Sequence, residues 1–381
     1  MRLGTPEWDQ RQVAEPSSES VVRGPREGFV ESISTNLALL RRRLRTARLH
    51  IEDLHLGTVT RTRVAIAYVA GVARPELVAE VRRRIGRIRI DGILESGYIE
   101  EFIQDTPWTI FPLLKHSERP DVVAADLLEG RVAIFTDGTP FVLLAPTVFP
   151  DLIHAPEDYY GRSPASSAIR LLRWLYVALA LLGPSLYIAL TTFHQEMLPT
   201  SLLLAFLNAR ESIPFPALIE ALLMETAFEA LREAGVRLPR QVGQAVSIVG
   251  ALVIGEAAVR AGIVSNPMVI VVSLTGIASF LIPRFNAAMA IRILRFPMML
   301  LAGTFGALGI FLGFMAILIH LARLRSFGVP YLAPLAPVIP GDLKDAVFRL
   351  PWWQMARRPR SIPAQDQQRQ AAARPPHPPG E

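Results

Sequence analysis

The chain has 381 residues, is 51% hydrophobic and carries a formal charge of +6, from 40 Lys and Arg against 34 Asp and Glu. It contains no cysteine, which excludes disulfides and thiolate chemistry. Many arginines flank apolar segments, a placement that fits an anionic membrane surface and argues against nucleic acid as the partner.

Residues 1–28 are polar and rich in Pro, Glu and Ser, and read as a linker or remnant with no apolar core of a signal peptide. Residues 29–54 predict a helix, because Ile33, Leu37, Leu40 and Leu44 recur every three or four positions. Its run Arg41–Arg43 is a solvated basic face or a surface for an anionic partner. Residues 62–71, TRVAIAYVAG, predict a buried strand. Pro75 then opens a helix to residue 88, with Leu77, Val78, Val81 and Ile85 on one face. Residues 95–103 are a short acidic helix, and 132–145 form a hairpin around Asp137 and Gly138. These elements predict a soluble α/β (α+β) head over residues 29–165, with no Gly-rich phosphate loop. Asp91, Glu95, Glu100, Glu101 and Asp105 make an acidic patch, either paired catalytic carboxylates or a docking or solvated surface. No base or ligand accompanies them.

Charge then thins, and residues 170–325 predict a polytopic α-helical membrane domain with about four to six embedded helices. The first candidate span, 174–193, has Gly183 and Pro184 at its centre. Proline removes a backbone donor there, for packing or for gating. Residues 198–207 are too short to cross. Residues 215–231 are apolar but carry Glu220, Glu225 and Glu229. They form an interfacial or re-entrant helix, or a span whose carboxylates face protein or water. Arg232, Arg237 and Arg240 read as a loop cluster. On the next helix, 245–264, Glu256 and Arg260 are four apart and share one face, as structural glue or along a polar path. Residues 268–282 are uncharged, and Arg284, Arg292 and Arg295 read as a basic loop. Residues 296–319 are uncharged, rich in Gly and Ala, and long enough to cross as one helix. Residues 326–355 are a Pro-rich juxtamembrane segment with an aromatic anchor at 347–353, and 356–381 read as a disordered tail.

Several runs resemble the A subunits of GerA-type spore germination receptors. They include RGPREGF (23–29), IDGILESGYIEEFI (90–103), LLEGRVAIFTDGTPFV (127–142), PEDYYGR (156–162) and ALTTFHQEMLPT (189–200). They continue with RESIPFPALIEALLMETAFEALREAGVRLP (210–239), IVGALVIGEAAVRAGIVSNPMVIVV (248–272) and LIHLARLRSFGVPYLAPLAP (318–337), so the likeness covers roughly residues 20–350.

The resemblance implies a non-enzymatic subunit without cofactor or metal, multi-pass in the inner membrane of the endospore. It implies a transporter-like B subunit that binds the nutrient, a lipoprotein C subunit, and a homo-oligomer, in the family a pentamer, that conducts cations. The family usually has a longer N-terminal head, so the start at residue 1 reads as a misassigned start or as a truncated paralogue that does not signal. Position 256 is often neutral in the family, so Glu256 would add negative charge to a pore unless Arg260 neutralises it. Gly183, Pro184, Glu220, Glu225, Glu256 and Arg260 are the candidate pore or subunit-interface residues. A secondary transporter is the alternative, although Gly183–Pro184 has no counterpart in a second half. A membrane enzyme would need clustered ligands, and the histidines are scattered.

Overall fold

The computed structural model describes residues 13–16, 18–238 and 255–371. The chain divides into two compact units. One is Met1–Leu171 with Leu321–Glu381, and the other is Leu172–His320.

The first unit is built on a five-stranded antiparallel sheet of order β1-β2-β4-β5-β3. Its strands are β1 (Leu49–Leu56), β2 (Thr62–Val69), β3 (Lys115–Ser117), β4 (Val132–Thr136) and β5 (Val142–Ala145). Helices α1 (Ile33–Arg43) and α4 (Pro120–Leu128) cover one face, against Ala65, Ala67, Ala133, Phe135 and Leu144. Helices α2 (Pro75–Ile85) and α3 (Ser96–Ile103) belong to the other layer. Central β2 and β4 are buried on both faces, which is why they read as continuous apolar runs. Pro75 stands in the first turn of α2, and Arg82–Arg84 stand in its last turn, where positive charge meets the helix dipole.

The helix expected over 29–54 ends at Arg43. Leu44 leaves the helical region (φ −105°, ψ 83°), and the chain extends into β1, paired with β2 from Leu49↔Val69 to Leu56↔Thr62. The ladder of pairing overrides the local helical spacing, because an edge strand with one polar face shows little apolar pattern of its own.

The C-terminal segment belongs to this unit. Strands β6 (Arg325–Ser326) and β7 (Val329–Pro330) pair, and Ser326 Oγ donates to Leu113 O (2.7 Å) while accepting from Thr147 N (3.0 Å). Residues 356–371, expected to be disordered, are held against the sheet layer. Gln365 N donates to Val72 O (2.7 Å), Arg358 Nε to Leu128 O (2.6 Å) and Arg369 Nη2 to Glu129 (2.5 Å). The remainder of that tail, 372–381, lies outside the described residues, as do residues 1–12 of the N-terminal linker.

The chain passes into the second unit within α5 (Ser163–Thr192). It continues as α6 (Thr200–Arg210), α7 (Ala217–Arg237), a short helical run at 255–260, α8 (Asn266–Phe280) and α9 (Phe285–Arg323). Among the described residues two helices, α5 and α9, are long and apolar enough to cross a membrane by length and composition, which does not confirm the four to six embedded helices expected. Residues 239–254, which hold the first half of the helix expected over 245–264 and also Arg240, lie outside the described residues.

Helix α9 differs most from expectation. Residues 296–319 do not form one crossing helix, because Gly306 interrupts the helical backbone at φ 60° and ψ −138°. A Cβ placed on Gly313 would lie 2.6 Å from Met298 Sδ and 2.7 Å from Leu301 Cδ1. In a continuous helix residues 298 and 313 would be about 22 Å apart along the axis. The two legs therefore fold back on each other as a helical hairpin. The absence of a side chain at Gly313 permits the close approach, and only glycine adopts the Gly306 conformation without strain. His194 Nε2 accepts from Ala307 N (3.1 Å) at the tip.

Candidate site in the helical unit

Pro184 lies inside α5 and has no amide hydrogen, so it cannot donate to the carbonyl four residues earlier, that of Ala180. A buried carbonyl without a partner is costly. Arg295 supplies the missing donor, with Nε 2.8 Å from Ala180 O. The same guanidinium places Nη1 2.5 Å from Glu225 Oε2 on α7. Arg295 and Glu225 are 1% and 0% exposed. Three helices are thus joined through one planar cation, whose fork serves a carbonyl and a carboxylate at once.

The neighbouring polar groups extend this cluster along α7. Glu229 lies 3.3 Å from Arg292 and 3.9 Å from Arg232. Arg232 donates to Ser279 Oγ (2.7 Å) and stacks over the Phe280 ring at 4.2 Å. Arg232, Arg292 and Arg295 were expected in loops. All three sit within helices and turn inward, because the carboxylates of α7 need cations in an apolar surround. The spacing carried a signal for this. Glu225 and Glu229 are four apart on α7, and Arg292 and Arg295 are three apart on α9, so both pairs present one face.

Glu220 forms a second, separate contact. It is fully buried and accepts from both the backbone N and Oγ of Ser265, each at 2.5 Å. Ser265 is also the N-cap of α8, so the carboxylate lies at the positive end of that helix. Arg210 is 3.7 Å away, and Tyr187 Oη is 3.5 Å from Ser265 Oγ. Gly183 faces α8, since a Cβ there would lie 2.8 Å from Thr275 Oγ1.

The structure therefore joins Pro184 and Glu225 through Arg295, and gives Glu220 a different partner. Glu256 and Arg260 pair with each other at 2.6 Å, with side chains 55% and 79% exposed in the protomer. Ser185 Oγ, Glu225 Oε1 and Arg295 Nη2 are buried with no hydrogen-bond partner among the described residues. The joined cluster thus retains capacity for further polar contact.

In the head, the acidic patch is divided among different partners, although Glu95 lies close enough to Glu100 to repel it. Asp105 pairs with Arg84 (2.7 Å), and Glu95 caps α3 and accepts from Thr139 (3.0 Å).

The family model for the Bacillus/Clostridium GerA spore germination protein matches residues 1–361. The chain belongs to the GerA family. It is 51% identical over 370 residues to spore germination protein KA of Bacillus subtilis, covering 97% of this chain and 68% of that protein. It is 56% identical over 350 residues to the membrane protein YfkQ of Bacillus subtilis, covering 92% of this chain and 68% of that protein. A crystal structure of the N-terminal domain of the A subunit of the Bacillus megaterium spore germinant receptor GerK3 aligns at 52% identity. It covers 32% of this chain and 97% of that one, with a TM-score of 0.27.

Proposed function

We propose that this GerA-family chain is the membrane-embedded A subunit of a nutrient-responsive germination receptor, in the inner membrane of the endospore. It works with a transporter-like B subunit and a lipoprotein C subunit, assembles as a homo-oligomer, and conducts cations when the partner binds its germinant. Helices α5, α7, α8 and the two legs of α9 are its embedded helices in this reading. It carries out no catalysis.

The observation that carries this reading is membership of the germination family along almost the whole chain. The joined Pro184–Arg295–Glu225 cluster supports the conducting role, because ionisable groups held among apolar helices mark ion paths and switching elements. Helices tied by one cation can separate when a partner changes the balance of contacts, which gives the cluster a gating role.

The test uses spores in which this chain is the sole A subunit, together with conductance of the reconstituted full chain. Deletion removes the germinant response and the early cation release. E225Q alters the threshold or rate of release by about tenfold or more. E256Q shifts cation selectivity where residue 256 faces the path. Bilayers that carry no current above background, under any partner combination, would sink the conducting role. The hairpin at Gly306 favours a secondary transporter as second reading, since broken helices are common in that class. Flux that requires a counter-gradient of solute would decide for it.

A further inference from the structure

Two surfaces of the first unit complement each other. Between α1 and edge strand β1 runs a groove of about 530 Å³. Leu37, Ala38 and Ile51 give it an apolar lining, and Arg41, Arg42 and Arg63 stand on it. Arg42 is engaged by Glu27, and Arg63 by Asp53 at 3.0 Å. Arg41 is exposed and has no ion-pair partner among the described residues. Ser34 and Asp53 line it too, so the groove is a mixed slot, with an apolar strip of Leu37, Ala38 and Ile51 and an unpaired positive charge, Arg41, on its rim.

The second surface is α3 and the residue before its cap. Leu94, Tyr98 and Phe102 recur at four-residue spacing and are 67%, 41% and 54% exposed. Glu100 and Glu101 lie on the same short helix, and neither has a cation partner among the described residues. This is an apolar stripe with the exposed carboxylate of Glu101 beside it, a counterpart to Arg41 on the groove. Burial and neighbouring Glu95 push the Glu100 carboxyl up to about 7, the behaviour of a group whose charge lacks compensation within the protomer.

Their places in the fold decide the occupant. The groove lies at the β1 edge on the α1 layer, whereas α3 packs with α2 and β5, towards the opposite edge and in the other layer. One protomer cannot bring these surfaces together, but two protomers related head to tail can. We propose that the α3 stripe of one copy docks in the α1–β1 groove of the next, with Arg41 meeting Glu100 and Glu101. This is a heterologous contact, in which each copy uses one surface as donor and the other as acceptor. Carboxylates beside the stripe argue against its lying on an anionic membrane. The inference deepens the homo-oligomer proposed above, and rests on that reading in taking a second copy as the partner.

The absence of native cysteine permits a clean test in the full chain, reconstituted in nanodiscs. The double variant A38C/F102C, oxidised, gives crosslinked dimers and higher multiples, and either single variant gives none. R41E lowers the crosslinked fraction about tenfold, and E101R in the R41E background restores it. An oligomer that persists on native gels without the A38C/F102C crosslink overturns this contact and leaves the oligomer standing. A monomer on native gels overturns both. A crosslink indifferent to R41E overturns the charge pairing. Quenching of a bimane at F102C by brominated lipid places the stripe on the bilayer and overturns the contact.

Discussion

Arg295 has two tasks that no other side chain type performs together. It fills the carbonyl that Pro184 leaves open and neutralises Glu225, with both contacts buried. Removing only the cation strands a carboxylate in an apolar surround, so R295M costs about 3–5 kcal/mol. Removing both charges leaves no such group, and R295M/E225M recovers most of that loss. Unfolding in mixed detergent and SDS reads both values, and a double variant as weak as R295M would mean that the pair is not the unit. Glu100 makes the opposite case in the head. Its carboxyl titrates near 7 in the folded protomer, against an ordinary value near 4.5. The folded state therefore binds more protons over that window, and stability falls as pH rises from 4.5 through 7. E100Q removes the penalty. The variant is more stable than the parent by about 1–3 kcal/mol at pH 8 and equal to it at pH 4, in thermal melts of the separated protomer.

At the scale of elements, Pro184 and Arg295 form a coupled pair across α5 and α9. P184A returns an amide donor to Ala180 O, and the need for Arg295 at that carbonyl disappears. The cost of R295M is then smaller in the P184A background, by about 1 kcal/mol, and a double-mutant cycle measures that coupling. Additive effects would mean that the carbonyl is satisfied in another way. Which elements were legible in the sequence follows from how locally their signals are written. Strand β2, helix α2 and the β4–β5 hairpin were legible because apolar runs, a proline at the helix start and an Asp-Gly turn are local signals. Strand β1 was not, since Glu52 and Asp53 sit in it and its order comes from pairing with β2. The need of Glu225 for a partner was legible from its apolar surround. Its partner was not, because Arg295 borders an uncharged stretch and flanking arginines ordinarily mark a loop. The reversal at Gly306 was hidden for a related reason. Composition counts residues 296–319 as one apolar run, whereas a single positive φ turns the chain back.

At the scale of the whole chain, the first unit is completed from both sides of the helical insertion. The chain leaves it at Leu171 and returns at Leu321. What returns supplies specific acceptors and donors to the sheet's periphery. Phe149 N donates to Tyr331 O (2.7 Å), Thr147 N to Ser326 Oγ (3.0 Å), and Tyr331 Oη to Pro112 O (2.8 Å). Arg170, at the start of α5 and fully buried, pairs with Asp158 (3.2 Å) and with Asp345 (3.1 Å), so it ties the preceding turn to the returning segment. Internal strands such as β2 and β4 draw their bonds from one another and do not depend on that segment. A fragment of residues 13–171 therefore keeps its sheet but loses its closure. Amide hydrogen exchange resolves the two: Thr147 and Phe149 exchange about 10–100 times faster in the fragment than in the full chain, while Ile66 and Ile134 change little. Adding a peptide of residues 321–371 slows Thr147 and Phe149 again, because its Ser326 and Tyr331 provide the acceptors. Equal protection at 147 and 149 in fragment and full chain would mean that these amides find other partners and that the returning segment is only draped on the unit. Fast exchange spread to Ile66 would mean that the sheet itself needs the segment to fold.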